Sequence, residues 1–262
     1  MAIETKVGVW VLEKGIELVK DKFKERVIER WTRYRAERFF AAFTQAIQQE
    51  LATGKEEAKV DSLLNEIYAD EERTEVLFDA YRKVSFAASK TLGPRVIGLL
   101  VGKLCCEGRR ANSGEEQILM AAEQMTDSEL YDLFKYYAEL RMSLKDETNG
   151  GKRTPSGIEI TLSTEKFDSV WGGAGGSEND ASPVDLDEAL GRWALKLKHV
   201  GLLKDKLLER HSFTGDESEW RSEKGSILQA RRWLLVFTPQ CEHLAELVER
   251  AFGAAQSAGD KV

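Results

Sequence analysis

The sequence predicts a mainly α protein: an N-terminal helical bundle with a long first helix, followed by a smaller α+β domain. Three observations predict it. Apolar residues step by threes and fours through most of the first 145 residues, the spacing of amphipathic helices. There are four prolines in 262 residues, which leaves room for long helices. After residue 150 the pattern changes, and Ile158, Ile160 and Leu162 alternate with polar residues as in a half-buried strand.

The first helix is read from Leu12, Ile16, Val19, Phe23, Val27, Trp31 and Tyr34. After a small phase shift, Phe40, Phe43, Ile47 and Leu51 continue it to a stop at Gly54. A helix of that length would reach ~65 Å at ~1.5 Å per residue. The length predicts either a break near Thr32–Arg38 or a protruding end able to pair with a second copy. Asp61 opens a short helix through Leu63, Leu64, Ile67 and Tyr68. Val76, Leu77, Ala80, Tyr81, Val84 and Ala88 mark the next, ending near Gly93-Pro94. Pro94 suits the first turn of its successor, where a missing N–H costs nothing. Val96 to Cys106 is the most apolar run, too short to span a membrane, and reads as the buried central helix. Gly98 and Gly102 share one of its faces and should let a neighbour approach closely. Ser113-x-x-Glu116 and Thr126-x-x-Glu129 have capping-box spacing. The second opens a helix carrying Leu130, Leu133, Phe134, Tyr137 and Leu140.

Asn149-Gly150-Gly151 marks the expected boundary between a bundle at 1–148 and a second domain at 152–256. The Gly-rich stretch 172–184 has no following lysine and leads into Glu178-Asn179-Asp180, so it reads as a loop and not a phosphate cradle. Asp185 starts a helix to Val200, with Leu190, Trp193, Ala194, Leu197 and Val200 on its apolar side. Gly201 ends it. Leu202 to Phe213 and Trp233 to Phe237 are strand candidates around a polar stretch, Thr214–Gly225. Thr238-Pro239 begins a last helix with Leu244, Leu247, Val248 and Phe252 facing inward. Residues 257–262 read as a disordered tail.

Charge and composition exclude several functions. With 45 acidic and 38 basic residues the net charge is −7, so neither half is a basic nucleic-acid domain in bulk. No apolar run reaches the ~20 residues of a membrane span. Met1–Glu4 lacks the start of a signal peptide, and three cysteines build no disulfide framework; both favour the cytoplasm. Charge is segregated, however. Lys14–Arg38 holds nine basic and five acidic residues, Asp61–Asp79 one and seven, and Arg192–Arg210 six and two. Such segments could dock on each other or on a partner.

Catalytic motifs are missing: no His-Glu-x-x-His, Gly-x-Ser-x-Gly, Walker lysine or Cys-x-x-Cys occurs. Cys105 and Cys106 point ~100° apart on a helix and read as core thiols. Cys241 and His243 would need distant help from His199 or His211 to hold zinc. Glu159, Glu165 and Lys166 lack the spacing of a nuclease core. No residue is nominated as catalytic or metal-binding, and no cofactor is implied.

The order helix, Gly201-Leu202-Leu203, strand, polar loop, strand, Phe237-Thr238-Pro239, helix resembles a winged helix over about 155–255. A helical N-terminal region with such an ending is also similar to bacterial proteins of the abortive-infection alpha type, although Gln240-Cys241 stands where those tend to carry a glycine. The winged-helix resemblance implies a recognition helix at Asp185–Val200, presenting Arg192, Lys196 and His199 outward with Lys198 flanking them, and Arg231 and Arg232 near the wing. Such residues could meet phosphates or base edges. Two functions follow as expectations. One is a non-enzymatic bacterial interaction protein (sensor, adaptor or assembly subunit), in phage defence or on a mobile element. It would bind a protein partner or self-associate through the N-terminal helix. The other is a DNA-binding transcriptional regulator.

Overall fold

The computed structural model describes residues 29–52, 65–67, 69–145, 151–170, 185–214 and 226–257. Twelve elements follow in order. The helices α1 (Glu29–Ala52), α2 (Glu71–Phe86), α3 (Leu92–Glu107), α4 (Ser113–Gln124) and α5 (Asp127–Lys145) come first. Then come β1 (Gly151–Thr154), β2 (Gly157–Val170), α6 (Leu186–Leu190), α7 (Arg192–His199), β3 (Leu203–Thr214), β4 (Ser226–Phe237) and α8 (Pro239–Ser257). The described chain is mainly helical, with one antiparallel sheet in its C-terminal part. No described helix is long and apolar enough to cross a membrane. The contacts divide the chain into two compact units. One runs to Ala138 and takes back the chain from Gln240 onward; the other is Glu139–Pro239. The last helix, read from sequence as part of the second domain, therefore belongs with the first five.

In the helical unit, α3 is apolar on nearly every side, as a central helix must be. Leu92, Val96, Ile97, Leu99, Leu100, Val101 and Leu104 are all buried. Helix α1 lies along it, burying Phe39, Phe40, Phe43 and Ile47. The rings of Phe39 and Phe43 stack at 6.0 Å, and Phe40 meets Tyr81 of α2 at 6.3 Å. Gly98 and Gly102 face α1, as their spacing predicts. A Cβ at Gly102 would stand 2.7 Å from Ala46 Cβ and 2.8 Å from the Phe43 carbonyl oxygen; one at Gly98 would collide with the Phe39 carbonyl oxygen. Helix α8 closes the unit against α5, with Phe252 beside Tyr131 at 5.3 Å and Phe134 at 5.4 Å. Arg250 donates to Gln49 of α1.

Three points differ from the expectation or narrow it. α1 is continuous through Thr32–Arg38, so of the two outcomes its length predicts, a break or a protruding end, the break is absent. The i, i+4 bridge from Arg33 to Glu37 (3.3 Å) spans the point of phase shift. The segment Leu12–Val27 and the stop at Gly54 lie outside the described residues. The capping box of α4 sits one residue earlier than predicted: Asn112 accepts from Glu115 N (3.0 Å), and Glu115 accepts from Asn112 N (2.9 Å). Asparagine ranks at least level with serine as an N-cap, and Arg109 already holds Glu115 in place through two 2.7 Å bonds. The Thr126–Glu129 box forms as predicted. Third, the helix read over Asp185–Val200 is two helices. Gly191 adopts φ 96°, a conformation that ends α6 and that a side chain rarely tolerates.

Two groups, the buried Glu115 and the half-buried His243, tie the helical unit to pH. Hydrogen bonds from Arg109 hold the Glu115 carboxyl below the usual carboxylate range. Burial, aided by Lys103, pushes the His243 imidazole down and so favours its neutral form in the fold. The unfolded chain takes up a proton on His243 below about pH 6.5 and on Glu115 below about pH 4.3. Stability should therefore be full above pH 6.5, fall first through His243 and then through Glu115. Thermal midpoints measured from pH 8 to 4 test this. His243→Gln should flatten the decline between pH 6.5 and 5; an unchanged slope would assign it to other groups.

In the second unit the sheet order is β1-β2-β4-β3, all antiparallel. β1 was not foreseen: Gly151-Lys152-Arg153-Thr154 carries no apolar alternation. It forms a hairpin with β2, Thr154 opposite Gly157. A bulge between Thr161 and Ser163 resets the β2 register. Ile158, Leu203, Leu235 and Phe237 are buried on one face, and Trp193 of α7 meets Phe237 at 6.3 Å. Helix α7 thus lies on the sheet's apolar face. Thr238 leaves the sheet by donating its hydroxyl to the Leu202 carbonyl (2.8 Å). The Gly-rich stretch 172–184, most of the polar stretch 214–225 and the tail lie outside the described residues.

Candidate functional site

Helix α7 is positioned by its buried side. Trp193, Ala194 and Leu197 are buried, and Asp185 caps the preceding α6 by accepting from Asp187 N (2.8 Å). Its outward side carries Arg192, Leu195, Lys196 and His199, spaced i, i+3, i+4 and i+7 and so on one face. Arg192 and His199 are exposed, Lys196 is half-buried, and Leu195 is 42% exposed in their midst. Lys198 points elsewhere: its ammonium lies 2.8 Å from Asp205 on β3. A pair this exposed contributes at most about 1 kcal/mol.

Arg231 and Arg232 lie on β4, Arg231 in register with Glu165 of β2 and Glu209 of β3 and Arg232 with Thr164 and Leu208. Of the six residues nominated for anion binding, the structure brings together Arg192, Lys196 and His199. It sets Lys198 against Asp205, and it puts Arg231 and Arg232 on β4, away from α7 in the chain.

The cysteines are free. Cys241 is fully buried, and burial raises its thiol far above the ordinary range; Cys105 is pushed up to about 12 and Cys106 to about 11, also by burial. Cys241 and His243 belong to the helical unit, His199 and His211 to the other. Among the described residues no group of three His, Cys, Asp or Glu is placed to hold a metal ion. A cleft of about 160 Å³ lies between α2, α3 and α4, floored by Val76, Ala80, Leu104 and Leu119. Ion pairs cross its rim: Arg110 with Glu72 (3.1 Å) and Glu75 (2.5 Å), and Lys83 with Glu116 (3.6 Å). Part of the acidic segment Asp61–Asp79 is thus matched within its own unit.

Compared with protein-family models, curated proteins and solved structures, the chain shows no match.

Proposed function

We propose that the chain is a non-enzymatic interaction protein of the bacterial sensor, adaptor or assembly type, whose C-terminal unit is a winged-helix-like docking module. The observation that carries this reading is Leu195, 42% exposed on α7 and ringed by Arg192, Lys196 and His199. An apolar centre rimmed by two cations and a histidine has the composition of a protein-docking patch, in which the apolar anchor supplies affinity and the rim supplies selectivity. The topology supports the module: two short helices lie between β2 and the β3–β4 hairpin, and the returning strand β4 sits between β2 and β3. Both features are ones the winged-helix-like reading expects. The resemblance to abortive-infection proteins favours phage defence or a mobile element as the setting.

The second reading is a DNA-binding regulator. It is favoured by Arg192, Lys196 and His199 sharing one face, with Leu195 able to meet a thymine methyl. Two substitutions separate the readings. Leu195→Asp should abolish capture of a discrete bacterial protein by the immobilised full chain. Arg192→Glu should weaken that capture by no more than about tenfold, the scale of a rim charge. Sequence-selective duplex binding lost on Arg192→Glu, with no protein captured, would replace the first reading by the second.

A further inference from the structure

The ion pair between Lys198 and Asp205 locates a groove beside α7. Ammonium and carboxylate meet at 2.8 Å, so this side of the helix faces β3. Leu195 lies one turn before Lys198 on α7, ~60° away around the helix, and is 42% exposed. Leu207 lies two positions beyond Asp205 on β3 and so shares its sheet face; it is 40% exposed and stands opposite Trp233 of β4. The ion pair is thus bordered by one exposed leucine on the helix and another on the strand. Neighbours on a helix surface stand ~5–6 Å apart and alternate strand residues ~7 Å, so one short peptide segment can reach both leucines. The surrounding charge is cationic. α7 carries Arg192, Lys196 and Lys198 and no acid. Asp205, the acid beside the leucines, is answered by Lys198.

We infer that this groove between α7 and β3 docks an acidic amphipathic segment of a partner protein. Two apolar side chains of the segment cover Leu195 and Leu207, and its carboxylates meet Arg192 and Lys196. The inference rests on the protein-docking reading of α7; it adds a second anchor and the sign of the partner's charge. A lone exposed leucine is ordinary on any surface. Two of them on adjacent elements, with an ion pair between, form a patch that a single partner segment can bury, and binding energy concentrates in such few anchors. The cations Arg192 and Lys196 set the sign: an acidic segment is steered in, and a basic one is repelled. Duplex nucleic acid fits less well. The Asp205 carboxylate is 37% exposed between the leucines. A peptide can lay its uncharged apolar stripe over that carboxylate, whereas a phosphate backbone brings a charge every ~1.7 Å of axis.

The test pans a random peptide library displayed on phage against the immobilised full chain, then measures the enriched peptides by fluorescence anisotropy. The enriched peptides should be net acidic and carry at least two apolar residues. Leu195→Asp and Leu207→Asp should each weaken their binding by about tenfold or more. Asp205→Lys should tighten it by about threefold, the scale of an exposed charge pair, a gain that misfolding does not mimic. Met120→Asp, at an exposed position of α4, should change nothing. Circular dichroism confirms that each variant is folded. Basic or uncharged peptides, no enrichment, or an Asp205→Lys variant that binds no tighter would overturn the inference. Peptides that lose binding with Leu195→Asp and keep it with Leu207→Asp would overturn it while leaving the α7 reading in place. Peptides indifferent to both leucines, or duplex DNA bound in place of any peptide, would overturn both.

Discussion

Gly98→Ala is expected to destabilise the protein by about 2 kcal/mol or more, the scale of an overpacked core. The sign is the informative part. In a helix interior the same exchange ordinarily stabilises by up to about 1 kcal/mol, because alanine restricts the unfolded chain. At Gly98 the new methyl would meet the Phe39 carbonyl oxygen and come within 3.1 Å of Ala42 Cβ. The nearest of these is backbone and cannot rotate aside, so α1 must move off α3 and loosen the contacts of Phe39 and Phe43. Gly102→Ala should act the same way against Ala46 and Phe43. Gly253 in α8 is the control, since a Cβ there would meet nothing within 4 Å. Gly253→Ala should stabilise by about 0.5–1 kcal/mol. Urea unfolding midpoints decide it; a stabilised Gly98→Ala would mean that α1 and α3 are not in close contact.

Asp127→Ala is expected to cost about 3 kcal/mol, through the N-terminus of a helix it does not belong to. The first N–H groups of α3 have no partner within the helix, and its cap residue Thr91 makes no side-chain capping bond. Asp127, at the start of α5, supplies the acceptors. Its Oδ1 accepts from Leu92 N (2.7 Å), Thr91 N (3.1 Å) and the Ser89 hydroxyl (2.6 Å), and its Oδ2 from Lys90 N (2.9 Å). Ser89 Oγ in turn accepts from Gly93 N (2.7 Å). The next residue is Pro94, which has no N–H to satisfy. Asp127→Asn keeps one acceptor oxygen and should cost about half as much. If Asp127→Ala unfolded at the wild-type urea concentration, the cap would be dispensable.

How far each feature could be read from sequence follows the range of its cause. The apolar stripes of α1, α3, α5 and α8, the close approach at Gly98 and Gly102, and the Thr126–Glu129 box all arise within one or two helical turns, and all were legible. The break at Gly191 was hidden because Leu190, Trp193 and Leu197 keep one apolar phase across it; the glycine itself was the available signal. β1 was missed because an edge strand of Gly, Lys, Arg and Thr has no alternation to display. The Asp127 cap joins residues 35 to 38 positions apart, and nothing local announces it. Arg231 and Arg232 enter through the winged-helix resemblance, as residues near the wing; the register that pairs Arg231 with Glu165 and Glu209, and Arg232 with Thr164 and Leu208, joins strands distant in the chain and has no local signal. The net charge of −7 and the local cationic run at 192–210 are both accurate, and neither reveals which face carries the charge.

The proposed docking of a protein partner on the outward face of α7 is tested most directly by site-specific photo-crosslinking. A photoreactive residue is placed at Leu195 in one preparation and at Met120, 39% exposed on α4, in another, and each is irradiated in bacterial lysate. One discrete crosslinked protein is expected from position 195, absent from position 120 and competed away by unlabelled full chain. Equal crosslinking from both positions, or none from position 195, would contradict it.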